Sequence, residues 1–102
     1  MNALNRLAQT IADRKSADPS SSWTAKLLSE GVEIAAQKFG EEAIEAIIEA
    51  VKGDRERLTA EAADVIYHLL VMLAACDVTL DDVLAELDRR AGSSGIDEKA
   101  NR

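Results

Sequence analysis

The segment from about residue 56 to residue 76 constrains the fold most, because its apolar residues surround most of the helix that they would form. These residues are Val65, Ile66, Leu69, Leu70, Val71, Met72 and Leu73. A helix that is apolar on several sides is buried on more than one side. One chain of 102 residues offers too few helices to cover it, so we expect a helical bundle that a second copy completes.

The rest of the chain also favours helices. It contains one proline and three aromatic residues, with few glycines, so breaks and strand-forming clusters are rare. Ser22 or Thr24 is expected to cap the second helix and Gly53 to end the third. Thr79 and Asp82 have the spacing of a capping box at the start of the fifth. The expected helices cover about 2–15, 23–31, 32–52, 56–76 and 80–90.

The predicted fold class is therefore all-α, an antiparallel bundle of about four to five helices completed by homodimerisation. The predicted domain covers residues 1–91. A polar tail at 92–102 follows it, and a bound substrate is the candidate to order this tail.

The net charge and the cysteine content limit the function and the location. The formal net charge is −7, which argues against nucleic-acid binding because phosphates need a basic surface. The single cysteine, Cys76, excludes an intrachain disulfide and fits a reducing compartment. No apolar run approaches the ~18 residues of a membrane span, and the N-terminus lacks the order of a signal peptide. We therefore expect a soluble, cytoplasmic protein with no membrane partner.

Four glutamates crowd into the segment KFGEEAIEAIIEAVKGD, at positions 38–54. They are Glu41, Glu42, Glu45 and Glu49, and like charges at helical spacing destabilise a helix by a few tenths of a kcal/mol per pair. Their patch is centred roughly 120° round the helix from an apolar stripe that consists of Ile44, Ile47, Ile48 and Val51. Glu45 is the centre of the patch, and we expect Glu49 to be the solvated member.

Two further acids, Glu61 and Asp64, interrupt the apolar helix at an i,i+3 spacing. A short turn makes the two long helices antiparallel neighbours. Glu45 and Glu61 lie about eight residues either side of Gly53, so they stand at similar heights. Two such pairs offer the oxygen ligands that Mg²⁺ or Mn²⁺ prefers, with positions open for water and phosphates. Acids on one helix are usually just a solvated face, and the second pair at matched height favours a metal site.

Several other residues are candidates for contacts with substrate phosphates. Lys26, Lys38 and Lys52 flank the acidic face, although each alone is more often a solvated lysine. His68 shares the face of Asp64, as either a substrate contact or a buried histidine. Trp23 is either a platform for a base or, more commonly for a lone tryptophan, a packing anchor.

These residues together resemble the all-α nucleoside triphosphate pyrophosphatase (MazG-like) superfamily, whose pattern is EExxE, a spacer and ExxD. Here the pattern stands as Glu41-Glu42-x-x-Glu45, fifteen residues, and Glu61-x-x-Asp64. A narrower similarity, to the phosphoribosyl-ATP pyrophosphatase family, extends over nearly the whole chain. It rests on SWTAKLL, KFGEEAIEAIIEA, EAADVIYHLLVML, VTLDDVLAELDRR and GSSGIDEKANR.

The resemblance implies hydrolysis of phosphoribosyl-ATP to phosphoribosyl-AMP and pyrophosphate, a step of histidine biosynthesis, by a homodimer. It implies Mg²⁺, or Mn²⁺ in its place, on four ligands, which are Glu42, Glu45, Glu61 and Asp64. Glu41 is the remaining carboxylate that would orient or deprotonate the attacking water, although Glu41 and Glu42 could exchange roles. Glu45 is the second catalytic candidate. Lys99 and Arg102 in the tail are candidates to close over the phosphoribosyl group.

Two alternative functions stay open, and a third, a di-iron carboxylate bundle, is discounted. A house-cleaning pyrophosphatase for another nucleoside triphosphate would use the same metal site with a different pocket. A non-enzymatic helical dimerisation module would carry the acids only as a solvated face. A di-iron bundle normally takes a Glu-x-x-His from two helices, and this chain has one histidine, at the wrong spacing from Glu61.

Overall fold

A computed structural model of the chain describes residues 2–92 and is entirely helical over that range. Its five helices are α1 (Ala3–Arg14), α2 (Trp23–Ser29), α3 (Val32–Lys52), α4 (Arg55–Ala75) and α5 (Leu80–Arg90). The all-α fold class is confirmed, and the helix bounds agree with the sequence prediction to within two residues. The tail candidates Lys99 and Arg102 lie outside the described residues, and the domain boundary at 91 stays a prediction.

The helix ends follow from local side-chain chemistry. The Ser22 hydroxyl accepts a hydrogen bond from the Ala25 amide and so caps α2. Gly53 ends α3 in the left-handed conformation at φ 78°, which glycine adopts without a steric penalty. Thr79 and Asp82 form the predicted capping box of α5. Gly53 and Asp54 alone separate α3 from α4, so the two long helices form an antiparallel hairpin.

The core lies where α1 and α2 pack against the α3–α4 hairpin. Its fully buried members are Ile11, Leu27, Ala35, Leu70 and Val71. The hydroxyl groups of Thr24 on α2 and Tyr67 on α4 are 2.5 Å apart, so a hydrogen bond ties the start of α2 to the middle of α4. Thr24 therefore joins helices rather than capping one.

The side of α3 that packs on α4 is not its most apolar one. Ala35 and Glu49 are its buried residues, and Phe39, Glu42 and Ala46 share their side at a spacing of three or four residues. The prediction that Glu49 is solvated is wrong, since the residue is only 8% exposed. Its position seven residues after Glu42 turns it toward α4.

The apolar stripe of α3 is left open to solvent in a single chain. Ile44, Ile47, Ile48 and Val51 are 59%, 61%, 50% and 84% exposed. The Cα radius of gyration is 15.5 Å, against about 13 Å for a compact chain of this length. One copy thus leaves a contiguous row of large aliphatic side chains without a packing partner.

Among the described helices, α4 alone is long and apolar enough to cross a membrane by length and composition. It carries Glu61, Asp64 and His68 in its middle and packs against α1, α2 and α3. We interpret α4 as the core helix of the bundle, because ionisable groups near the centre of a membrane span are costly.

Candidate active site

Three acidic side chains converge between α3 and α4. One carboxylate oxygen from each of Glu42, Glu45 and Glu61 lies within 4.8 Å of the others. The hairpin brings them together because Glu42 and Glu45 are one turn apart on α3, and the turn at Gly53 sets Glu61 on α4 at the same height. We refer to these three residues as the carboxylate triad.

Asp64, the fourth predicted metal ligand, is exposed and lies outside the triad. It is still close enough for its negative charge to raise the pKa of both Glu42 and Glu61. Asp64 therefore stands at the open edge of the site, on the solvent side of the triad.

The electrostatics of the triad indicate a site that needs positive charge. Burial raises the pKa of Glu61 to about 7, helped by a hydrogen bond to Glu45 and by the charges of Glu45, Glu42 and Asp64. Burial and the charges of Glu45 and Asp64 also raise the pKa of Glu42. The Oε2 atom of Glu61 is buried and has no hydrogen-bond partner. Hard oxygen donors around an unsatisfied carboxylate oxygen fit a divalent cation such as Mg²⁺.

Glu41, the predicted water-activating residue, is not a member of the triad and contacts residues of its own helix. It is exposed, it accepts a hydrogen bond of 3.1 Å from Gln37 Nε2, and it pairs with Lys38 Nζ at 3.8 Å. Its catalytic role remains a prediction, and its carboxylate is held by neighbours rather than by the triad.

His68 is buried beside the edge of the site where Asp64 lies. Its Nδ1 atom has no hydrogen-bond partner, and its ring meets that of Tyr67 edge-on at 5.0 Å between centroids. Burial lowers the pKa of His68, while the charge of Asp64 opposes that shift. The charges of Lys38 and Glu41 also act on its pKa, which shows that the middle of α3 lies close to His68.

The predicted phosphate-binding lysines have different partners. Lys26 Nζ lies over the ring of Trp23, 5.7 Å from its centroid. Lys52 Nζ is 3.3 Å from Glu49 Oε1, without the geometry of a hydrogen bond. Lys38 is the one of the three whose charge reaches His68.

The sequence interpretation missed the burial of Glu49 and left the role of Trp23 undecided. Glu49 is buried, and its spacing of seven residues from Glu42 was the available signal. Trp23 was expected to be a packing anchor more often than a platform, and its side chain is 57% exposed. No spacing rule predicts this exposure, because Trp23 is the first residue of a helix of only seven residues.

A comparison with known proteins assigns the chain to a family. The model of the phosphoribosyl-ATP pyrophosphohydrolase family matches residues 4–91. The chain belongs to this family. It is 72% identical over 102 residues to a phosphoribosyl-ATP pyrophosphatase of Dinoroseobacter shibae, covering 100% of both chains. It is 73% identical over 99 residues to that of Roseobacter denitrificans, covering 97% of this chain and 94% of the relative.

Membership of the phosphoribosyl-ATP pyrophosphohydrolase family indicates what the carboxylate triad has to bind. The family match covers α2 to α5 completely and α1 from its second residue, so it includes all three residues of the carboxylate triad. A pyrophosphohydrolase acts on a polyanion, which a bare cluster of carboxylates would repel. The triad can thus bind such a polyanion only when a cation lies between the carboxylates and the phosphates.

Proposed function

We propose that this chain hydrolyses phosphoribosyl-ATP to phosphoribosyl-AMP and pyrophosphate, in the histidine pathway. We further propose that it does so with Mg²⁺, for which Mn²⁺ can substitute. The observation that carries the proposal is the convergence of Glu42, Glu45 and Glu61 within 4.8 Å in a chain of this family.

The proposed ligands of the ion are the carboxylate triad together with Asp64. The chemistry that Mg²⁺ supplies at such a site is charge neutralisation on the phosphates and a lower pKa for a bound water. Because the pKa of Glu61 in the metal-free site is about 7, its carboxyl group is partly protonated at neutral pH, and that proton has to leave when the ion binds. Cation binding should therefore release a proton.

Glu41 and Lys38 are the proposed contacts for the attacking water and for a substrate phosphate. Glu41 would accept the proton of the attacking water, with its carboxylate oriented by Gln37 and Lys38. Attack at the α-phosphorus breaks the bond to the β-phosphate and releases pyrophosphate. Lys38 lies at the Glu41 end of the site and is the best placed of the lysines for a phosphate oxygen.

We also propose that the working form is a homodimer in which the second copy covers the apolar stripe of α3. Four large aliphatic side chains in one row, each at least half exposed, are more apolar surface than a stable monomer usually leaves in one patch. The unusually large radius of gyration supports the same conclusion. The proposed location is the cytoplasm, where a chain with one unpaired cysteine, Cys76, stays reduced.

The decisive experiment is a pyrophosphate-release assay with phosphoribosyl-ATP, with and without Mg²⁺. The proposal requires Mg²⁺-dependent release and turnover of phosphoribosyl-ATP well above that of any common or non-canonical nucleoside triphosphate. A preference for one of those nucleotides would instead indicate a house-cleaning pyrophosphatase. If no substrate released pyrophosphate, the chain would instead be a non-enzymatic helical dimerisation module.

A further inference from the structure

Trp23 is an exposed aromatic side chain whose surroundings are held rigidly. Its neighbours on α2, Ala25 and Leu27, are 3% and 1% exposed, so one side of this short helix is locked into the core. The Ser22 cap and the hydrogen bond between the Thr24 and Tyr67 hydroxyl groups hold the first turn. The ring is 57% exposed on this fixed turn, so it can stack against a ligand without a rearrangement of α2.

The position of Trp23 relates it to the carboxylate triad. Tyr67, to which the next residue is hydrogen-bonded, follows Asp64 by three residues on α4, so the two side chains are neighbours on one face. The start of α2 therefore lies beside the edge of the site that Asp64 marks. We therefore expect a nucleotide with its phosphates at the triad to direct its base toward this region.

The charge next to Trp23 distinguishes a nucleotide from an apolar partner. Lys26 Nζ lies over the indole ring at 5.7 Å, within the range of a cation–π contact. An ammonium group beside an exposed ring suits a planar base attached to a phosphate, since the ring stacks and the ammonium pairs with the phosphate. A purely apolar partner would have to desolvate that charge without compensation.

We propose that Trp23 is the stacking platform for the adenine of the substrate and that Lys26 contacts the phosphate of its phosphoribosyl group. This inference rests on the proposed function. The phosphoribosyl group of phosphoribosyl-ATP is attached to the adenine, so the substrate carries phosphate on both sides of the base. The triad takes one end through a cation, and Lys26 takes the other. Lys26 thereby selects phosphoribosyl-ATP over ATP.

Fluorescence tests the platform directly, because Trp23 is the only tryptophan in the chain. AMP, added with Mg²⁺, is expected to quench the emission in a saturable way. Ribose 5-phosphate and Mg²⁺-pyrophosphate, which lack the base, are expected to leave it unchanged. Equal quenching by pyrophosphate, or no effect of AMP, would overturn the proposal. An emission change on dilution alone, which AMP does not alter, would assign the ring to a second copy and also overturn it.

Kinetics of variants test the two roles separately. Trp23→Leu should raise KM for phosphoribosyl-ATP by about 5- to 100-fold, the effect of losing one base–aromatic stack, with little change in kcat. Trp23→Phe should keep KM near wild type, which also shows that the fold tolerates the site. Leu87→Ala, at a similarly exposed apolar residue on α5, is the matched control and should leave KM unchanged.

Lys26→Met separates selectivity from stacking. It should raise KM for phosphoribosyl-ATP and leave AMP quenching of Trp23 intact. An equal loss of both would contradict the assignment of Lys26 to the second phosphate. If wild-type enzyme failed to turn over phosphoribosyl-ATP, the proposed function would fail, whereas normal turnover with an unaltered KM in Trp23→Leu would reject this inference alone.

Discussion

The carboxyl group of Glu61 on α4 faces that of Glu45 on α3 across the interface of the two long helices, with an oxygen atom of each within 4.8 Å of the other. Burial of Glu61, reinforced by the neighbouring Glu45 carboxyl group and by the charges of Glu42 and Asp64, raises its pKa to about 7. Near neutral pH the metal-free site is therefore partly protonated at the position that we assign to a cation. Protons and metal ions compete for the same oxygen atoms.

The first prediction concerns stability without metal. The pKa of Glu61 rises from 4.5 to about 7 on folding, so its contribution to stability is full below pH 4.5 and is lost as pH rises through about 7. The lowered pKa of His68 acts in the opposite direction over part of this range. Thermal unfolding in EDTA, from pH 5 to pH 8, should show a smaller decline with pH in Glu61→Gln than in wild type. Parallel curves for the two proteins would contradict the raised pKa.

A second prediction concerns the acids as metal ligands. Glu45→Gln, Glu61→Gln and Asp64→Asn should each lower pyrophosphate release by about 10²-fold or more, as expected when a charged group of an active site is lost, while circular dichroism stays helical. Glu33→Gln, at an exposed acid in the first turn of α3, is the control and should be fully active. Near-normal turnover in any two of the three variants would disprove the metal-site assignment.

Glu49 provides a third prediction, because its buried Oε1 atom has no hydrogen bond. Replacing its charge by an amide in Glu49→Gln should raise the free energy of unfolding by about 1 kcal/mol. The lost contact with Lys52 costs little, since the lysine is 57% exposed. Urea unfolding measures the change, with the exposed Glu56→Gln as control. A loss of stability together with weaker Mn²⁺ binding would instead make Glu49 a member of the metal site.

The fourth prediction concerns the apolar stripe of α3. Ile47→Lys places a charge in the middle of the row, so it should weaken the dimer by at least about 10-fold in Kd. Sedimentation velocity across a concentration series measures this, and Thr10→Lys, at an exposed position on α1, should leave association unchanged. A wild-type chain that stays monomeric at all concentrations would contradict the proposal of a homodimer.

The fifth prediction concerns the link between α2 and α4. The hydroxyl groups of Thr24 and Tyr67 form a partly buried hydrogen bond, so Tyr67→Phe should cost about 1 kcal/mol of stability. Thr24→Val should cost a similar amount, and the double variant should cost little more than either single one. Additive effects in the double-mutant cycle would show that the two hydroxyl groups do not stabilise each other.

The hairpin illustrates how far local patterns extend. Gly53 and the short turn are local features, and they predicted the antiparallel pairing of α3 and α4 and the matched heights of Glu45 and Glu61. The spacing of Glu42 and Glu45 likewise placed both on one face of α3. Asp64 shows the limit of such reasoning, because the i,i+3 spacing from Glu61 does not determine how far its carboxylate extends toward solvent.

The sequence by itself determined the five helices, their caps and the two halves of the acid site, because these depend on interactions between residues within about a turn of each other. The tertiary structure decided which face of each helix is covered. It turned Glu49 inward, left Ile47 and Val51 exposed, and directed Trp23 outward beside Lys26. Burial depends on which helices are available to cover a face, and no periodicity along one helix carries that information.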